Sequence, residues 1–110
     1  MSWIDQILIV DTDSAHSAEL ETALLAANYR VSVCSEHSSA IDAVKAGGVS
    51  YIVIVSRARV RWRVELEVFC GAIGILDPRP PILCVLCWPP RGPKDRLYGD
   101  SLDVTVLHEG

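Results

Sequence analysis

The chain has 110 residues, half of them hydrophobic, with four cysteines and a formal net charge of −4 at pH 7. That length suits one domain (residues 1–110) built on one core, and so apolar a composition excludes a disordered chain. The mild acidity argues against a nucleic-acid binder as a whole, and no apolar run approaches the roughly 18 residues of a membrane span. The opening Met1-Ser2-Trp3-Ile4-Asp5 has no basic stretch and an early acid, so no secretion leader is read here and the expected compartment is the cytoplasm.

Gln6 to Val10 reads as the first strand. Four aliphatic residues in succession, Ile7 to Val10, suit a strand covered on both faces, as in a parallel sheet. The run stops at Asp11-Thr12-Asp13, placing two acids at the carboxyl edge, where open α/β sheets form their sites. Asp13 or Ser14 is a candidate cap for a helix reaching about Asn28. Its expected buried stripe is Ala18, Leu20, Ala23, Leu24 and Ala27, with Glu19 and Glu21 in water and His16 exposed on the first turn.

Arg30 to Cys34 alternates as an edge strand does. A second helix over Ser38–Ala46, with Ala40, Ile41 and Val44 inward, ends at Gly47-Gly48. Tyr51 to Val55 is the most β-branched run and reads as a central strand ending at Ser56. Arg57-Ala58-Arg59-Val60-Arg61-Trp62-Arg63 follows and holds four of the ten basic residues. A third helix is expected over Val64–Leu76, with Leu66, Val68, Phe69, Ala72 and Ile73 available to the core. The turn Asp77-Pro78-Arg79-Pro80-Pro81 then stops it.

Ile82 to Cys87 is the fourth strand. It contains Cys84-Val85-Leu86-Cys87, a spacing found in redox pairs and zinc sites. With no second ligand pair following, buried reduced thiols are the preferred reading. Trp88 to Pro93 is an irregular loop whose tryptophan is either an exposed anchor or a cover over the sheet edge. Lys94 to Ser101 allows at most two helical turns, and Val104 to Leu107 or His108 is the fifth strand. Strand–helix alternation at this density means a parallel sheet with helices on its faces.

At this point the chain resembles the receiver domain of two-component response regulators over nearly its whole length. Ile7 to Asp13 resembles the family's "ILIVDDD". Leu24 to Val33, with Asn28-Tyr29-Arg30-Val31, is similar to its "L…GY.V" step. Ser39-Ala40-Ile41-Asp42-Ala43 is similar to "..AL..", Tyr51 to Ser56 to "DLVILD", and Pro81 to Cys87 to "PIIMLTA". The resemblance implies a flavodoxin-like, doubly wound five-stranded parallel sheet of order 2-1-3-4-5, here with a short fourth helix and no fifth.

The resemblance also implies a chemistry: phosphoryl transfer to an aspartate at the end of the third strand, with magnesium held by that aspartate and the first-strand acids. A hydroxyl after the fourth strand and a lysine after the fifth bind the phosphoryl oxygens. In this chain the acceptor position is Ser56, which cannot form an acyl phosphate. Asp11 is kept, the second acid position is Thr12, and Asp13 matches a variable third acid. The hydroxyl position is Leu86, and the lysine position is Leu107, or His108 if the register slips by one. Losing carboxylates removes the hard oxygen ligands magnesium needs. The expectation is a pseudo-receiver with no cofactor, no resident metal and no enzymatic activity. Ser56 as a nucleophile would need a base, for which His108 is the one candidate.

An arginine of the 57–63 run is expected to replace the metal, Arg57 or Arg59 pairing with Asp11 or Asp13. The same run, Arg57, Arg59, Arg61, Trp62 and Arg63, is a candidate contact loop, and its rival use is gripping a nucleotide or nucleic acid. Without a fifth helix, aliphatic residues of strands three to five should lie uncovered on one face, which implies a protein partner or a homodimer, unless the chain is part of a longer protein. Two further readings stay open: a receiver phosphorylated unconventionally on Asp11 or Asp13, and, by fold analogy alone, a flavin site.

Overall fold

The computed structural model describes residues 5–76 and 79–108; of the predicted turn, Asp77 and Pro78 lie outside the described residues, as do the side chains of Ser14, Ala15 and His16. Elements follow in strict alternation: β1 (Gln6–Val10), α1 (Ser14–Ala26), β2 (Arg30–Cys34), α2 (His37–Lys45), β3 (Tyr51–Ser56), α3 (Trp62–Ile73), β4 (Ile82–Leu86), α4 (Lys94–Ser101) and β5 (Val104–His108). The five strands form one parallel sheet in the order β2-β1-β3-β4-β5.

Pleating sends alternate residues to opposite faces, and the two faces differ here. Leu8, Val10, Ile52, Ile54, Cys84, Leu86 and Val106 are buried together against Ala40 and Val44 of α2 and against Leu66, Phe69 and Ile73 of α3. Tyr98 and Leu102 extend this layer towards β5. On the other face Ile7 and Ile9 are buried, but Val53, Val55, Leu83 and Val85 are only half-covered, and Tyr51, Thr105 and Leu107 are exposed. With Leu20 and Leu24 of α1, Ile7, Tyr51, Val53, Leu83, Val85, Thr105 and Leu107 bound an apolar trough of about 620 Å³.

Several boundaries and faces differ from the sequence reading. α1 ends at Ala26, because Asn28 turns into the left-handed region at φ 70°. Asp13 is its N-cap but makes no side-chain capping bond. The expected alanine stripe of α1 is not buried: Ala18, Ala23 and Ala27 are exposed, Leu20 and Leu24 carry the packing, Ser17 is buried and Glu21 is half-covered. The helix packs mainly on β2, the edge strand of the sheet. α2 runs from His37 to Lys45 and is followed by Gly47 at φ 89°. α3 begins at Trp62 and ends at Ile73, so its buried stripe is Trp62, Leu66, Phe69, Cys70 and Ile73. Val68, expected in the core, is 62% exposed, because it sits off that stripe. β4 stops at Leu86, and all four cysteines are free thiols.

Candidate functional site

Asp11 ends β1. Its backbone N–H extends the ladder by donating to the Cys34 carbonyl at 2.9 Å, which fixes the carboxyl group at the sheet edge. The side chain is buried. A buried carboxylate needs donors, and three are supplied. Oδ1 accepts from the Asp13 backbone N–H at 2.9 Å and from Arg57 Nε at 3.0 Å, and Oδ2 accepts from Arg57 Nη2 at 2.7 Å. Arg57 reaches Asp11 because it is the first residue after β3, and β3 pairs directly with β1. The bond to Asp11 holds the Arg57 guanidinium more firmly protonated than usual. Thr12 and Asp13 are exposed, and no ion pair joins Asp13 to an arginine among the described residues.

The other positions singled out by the resemblance line up across the sheet. Ser56 of β3 is in register with Leu86 of β4, and Leu86 with His108 of β5. Ser56 is buried with its Oγ 3.8 Å from Cys84 Sγ. Burial raises the Cys84 thiol pKa to about 11, so Ser56 faces a neutral thiol near pH 7. Leu86 is fully buried in the core, whereas Leu107 is half-exposed on the opposite face. The pleat puts Leu107 and His108 on different sides of β5, and the register sets His108 on the side of Leu86.

His108 is turned away from Ser56. Its Nδ1 lies 3.0 Å from the Trp88 carbonyl oxygen, which can only accept, so Nδ1 carries the proton. Its Nε2 lies 3.4 Å from Asp95 Oδ2. Among the described residues Ser56 thus has no base within reach, and the nucleophile reading fails on geometry. The donor set does not suit magnesium either. Among the described residues Asp11 is the one buried carboxylate at this edge, and both of its oxygens are already bound by a guanidinium; Asp13 beside it is exposed, and the other positions are a threonine, a serine and leucines. Among the described residues no three His, Cys, Asp or Glu side chains are grouped to hold a metal ion.

The arginine-rich run divides its work. Arg57 takes Asp11. Arg59 lies over the ring of Trp88, with Cζ 5.8 Å from the centroid. Arg61 stands at the N-cap position of α3 without a side-chain capping bond and is exposed. Arg63 stacks on Trp62 and Tyr98 at 5.4 and 4.9 Å, and its Nη2 donates to Asp95 Oδ1 at 2.9 Å. Trp62 is not part of an exposed loop: it starts α3 and is buried, with Tyr98 5.6 Å and Trp88 6.3 Å away in edge contacts. Trp88 is likewise buried, so its role is cover over the sheet edge rather than an exposed anchor. Asp95, Tyr98 and Arg91 escaped the sequence reading. Asp95 stands 32 residues from Arg63, and no local spacing links them.

A five-stranded parallel sheet of this order is the flavodoxin-like fold of response-regulator receiver domains. Solved structures bear this out. The chain is similar to the chemotaxis protein CheY4 of Vibrio cholerae, at 19% identity and a TM-score of 0.74, over 97% of this chain and 88% of that one. It is similar to a response regulator protein from Burkholderia multivorans, at 19% identity and a TM-score of 0.70, over 98% and 84%. It is also similar to the receiver domain of Ssk1 from Saccharomyces cerevisiae, solved together with the histidine phosphotransfer signalling protein Ypd1, at 17% identity and a TM-score of 0.65, over 96% and 79%. No protein-family model matches the sequence, and no curated protein matches it. No helix among the described residues is long and apolar enough to cross a membrane.

Proposed function

We propose that this chain is a pseudo-receiver: a one-domain cytoplasmic signalling module that acts by protein–protein contact, without catalysis and without taking up phosphate by the usual receiver route. The observation that carries this reading is the two-point bridge from Arg57 to Asp11. A guanidinium is permanently charged and matches a carboxylate in geometry, so it meets the electrostatic need that a metal ion would otherwise meet. The charge of the buried Asp11 carboxylate is then balanced without a cofactor. Ser56 at the acceptor position, Thr12 beside Asp11 and Leu86 at the hydroxyl position support the same reading, because each removes an oxygen ligand or a phosphoryl contact.

The output surface in this reading is the sheet face bearing Tyr51, Val53, Leu83, Val85 and Leu107. An apolar face of this kind on a small protein is a site of association, here with a signalling protein or a second copy of the chain. That the similar Ssk1 receiver domain was solved with a protein partner supports a protein-binding role.

The test is incubation with acetyl phosphate and magnesium followed by intact-mass measurement, with an ordinary receiver as positive control. The expected result is an unmodified chain whose solution mass and fluorescence also ignore magnesium and beryllium fluoride. A phosphorylated aspartate, or dimerisation driven by the phosphate mimic, overturns the reading.

A further inference from the structure

Beside the Asp11 pocket, and distinct from it, Arg59, Arg63 and Arg91 line a cleft of about 230 Å³ together with Trp62, Trp88 and Asp95. Three guanidiniums face one carboxylate. Asp95 is engaged by Arg63, and among the described residues neither Arg59 nor Arg91 has a carboxylate partner. Like charges gathered at one site repel unless an anion joins them. Two of the three arginines are nevertheless held in place: Arg59 rests on Trp88, and Arg63 is clamped between Trp62, Tyr98 and Asp95, while Arg91 is exposed at the rim. Guanidiniums fixed on aromatic faces keep their N–H forks available with little ordering left to do on binding.

The features of the cleft select the ligand. Two unneutralised arginines match the charge of a phosphate monoester, about −1.5 to −2 at neutral pH. The volume lies below the roughly 300 Å³ at which sites for larger organic ligands begin, and suits one phosphoryl group with a short stem. Both tryptophans are buried, so they offer no free face for stacking a row of bases. A chain of net charge −4 with so short a basic patch is a poor track for a polyanion. We propose that this cleft binds a phosphate monoester, with Arg59 and Arg91 donating to the phosphoryl oxygens and Arg63 held back by Asp95. The proposal is independent of whether the Asp11 pocket can be phosphorylated.

The experiment titrates the intact chain with inorganic phosphate, phosphoserine, serine, AMP and a single-stranded oligonucleotide, reading indole fluorescence and heat. Phosphoserine is expected to saturate, AMP to do so through its phosphate with the nucleoside left outside the cleft, and serine to give no signal. Arg59→Gln and Arg91→Gln should each weaken the binding about tenfold or more, the effect of one charge-assisted hydrogen bond. Arg61→Gln, outside the cleft, should leave it unchanged. Tighter binding of phosphoserine assigns the phosphate to a modified protein segment, and tighter binding of AMP assigns it to a nucleotide; both support the site. The proposal is overturned if no monophosphate saturates, if both cleft variants bind as the parent does, or if only the oligonucleotide binds, with a steep fall in salt.

Discussion

Arg57 and Asp11 lie 46 residues apart in sequence and meet through two nearly parallel hydrogen bonds, with the carboxylate fully buried and the guanidinium about a quarter exposed. One member of the pair is thus solvated and the other depends on it. Removing the arginine leaves a buried carboxylate short of two donors, which costs about 3 kcal/mol. Arg57→Met should lower stability by that amount in urea unfolding. The double variant Arg57→Met/Asp11→Asn should recover most of the loss, because no uncompensated charge then remains. Charge reversal at Asp11 should be worse than either single change. Unchanged melting in Arg57→Met would show that the bridge does not hold the pocket.

A second prediction concerns Gly99, on the buried side of α4. A Cβ built there meets Val106 Cγ2 in hard overlap and the Val104 carbonyl oxygen at 2.7 Å. The helix rests directly on β5 with no room for a methyl group. Gly99→Ala should therefore destabilise the chain by roughly 1–3 kcal/mol even though alanine is the better helix former. A rise in melting temperature on that substitution would mean that α4 is not seated on the strand.

Cys84 gives a pH prediction. Its thiol sits in the core at a pKa of about 11, against 9.0 for an unperturbed thiol, because burial disfavours the thiolate. Between these values the unfolded chain loses this proton while the folded chain keeps it. The contribution to stability is therefore whole below pH 9 and is lost as pH rises towards 11. The difference in unfolding free energy between the parent and Cys84→Ala should narrow across that window, by on the order of 2–3 kcal/mol. A gap that stays constant with pH would mean that the thiol titrates alike in both states.

The half-covered sheet face is probed at Leu107, which is 51% exposed and carries little of the core. Leu107→Glu should leave the melting temperature almost unchanged. If this face joins two copies, light scattering should give a dimer for the parent and a monomer for the variant. A parent that is monomeric at every concentration shifts the role of this face to a different protein.

Much of the fold is legible without coordinates because its signals are local. Ile7 to Val10 and Ile52 to Val55 are aliphatic runs too short for helices, and Gly47-Gly48 terminates α2. Element ends were less legible. α3 starts two residues early because Trp62 finds a buried place among Trp88 and Tyr98, a contact that helical spacing alone does not register. The stripe on α1 misled for a similar reason: periodicity names the apolar face but not how much sheet lies beneath it. Ala18 and Ala23 stay exposed while Leu20 and Leu24 on the same helix are half-covered.

The sequence by itself determined the alternation of strands and helices, the acid at the end of β1, the serine at the end of β3 and the arginines beyond it. These follow from residue type and from spacings of two to four positions. Only the tertiary structure decided that Arg57 rather than Arg59 meets Asp11, that Arg63 meets Asp95, and that His108 rather than Leu107 stands in register with Leu86. Each of these depends on strand neighbours and register, which bring together residues 32 or 46 positions apart. A shift of one residue in register would have exchanged the faces and the partners.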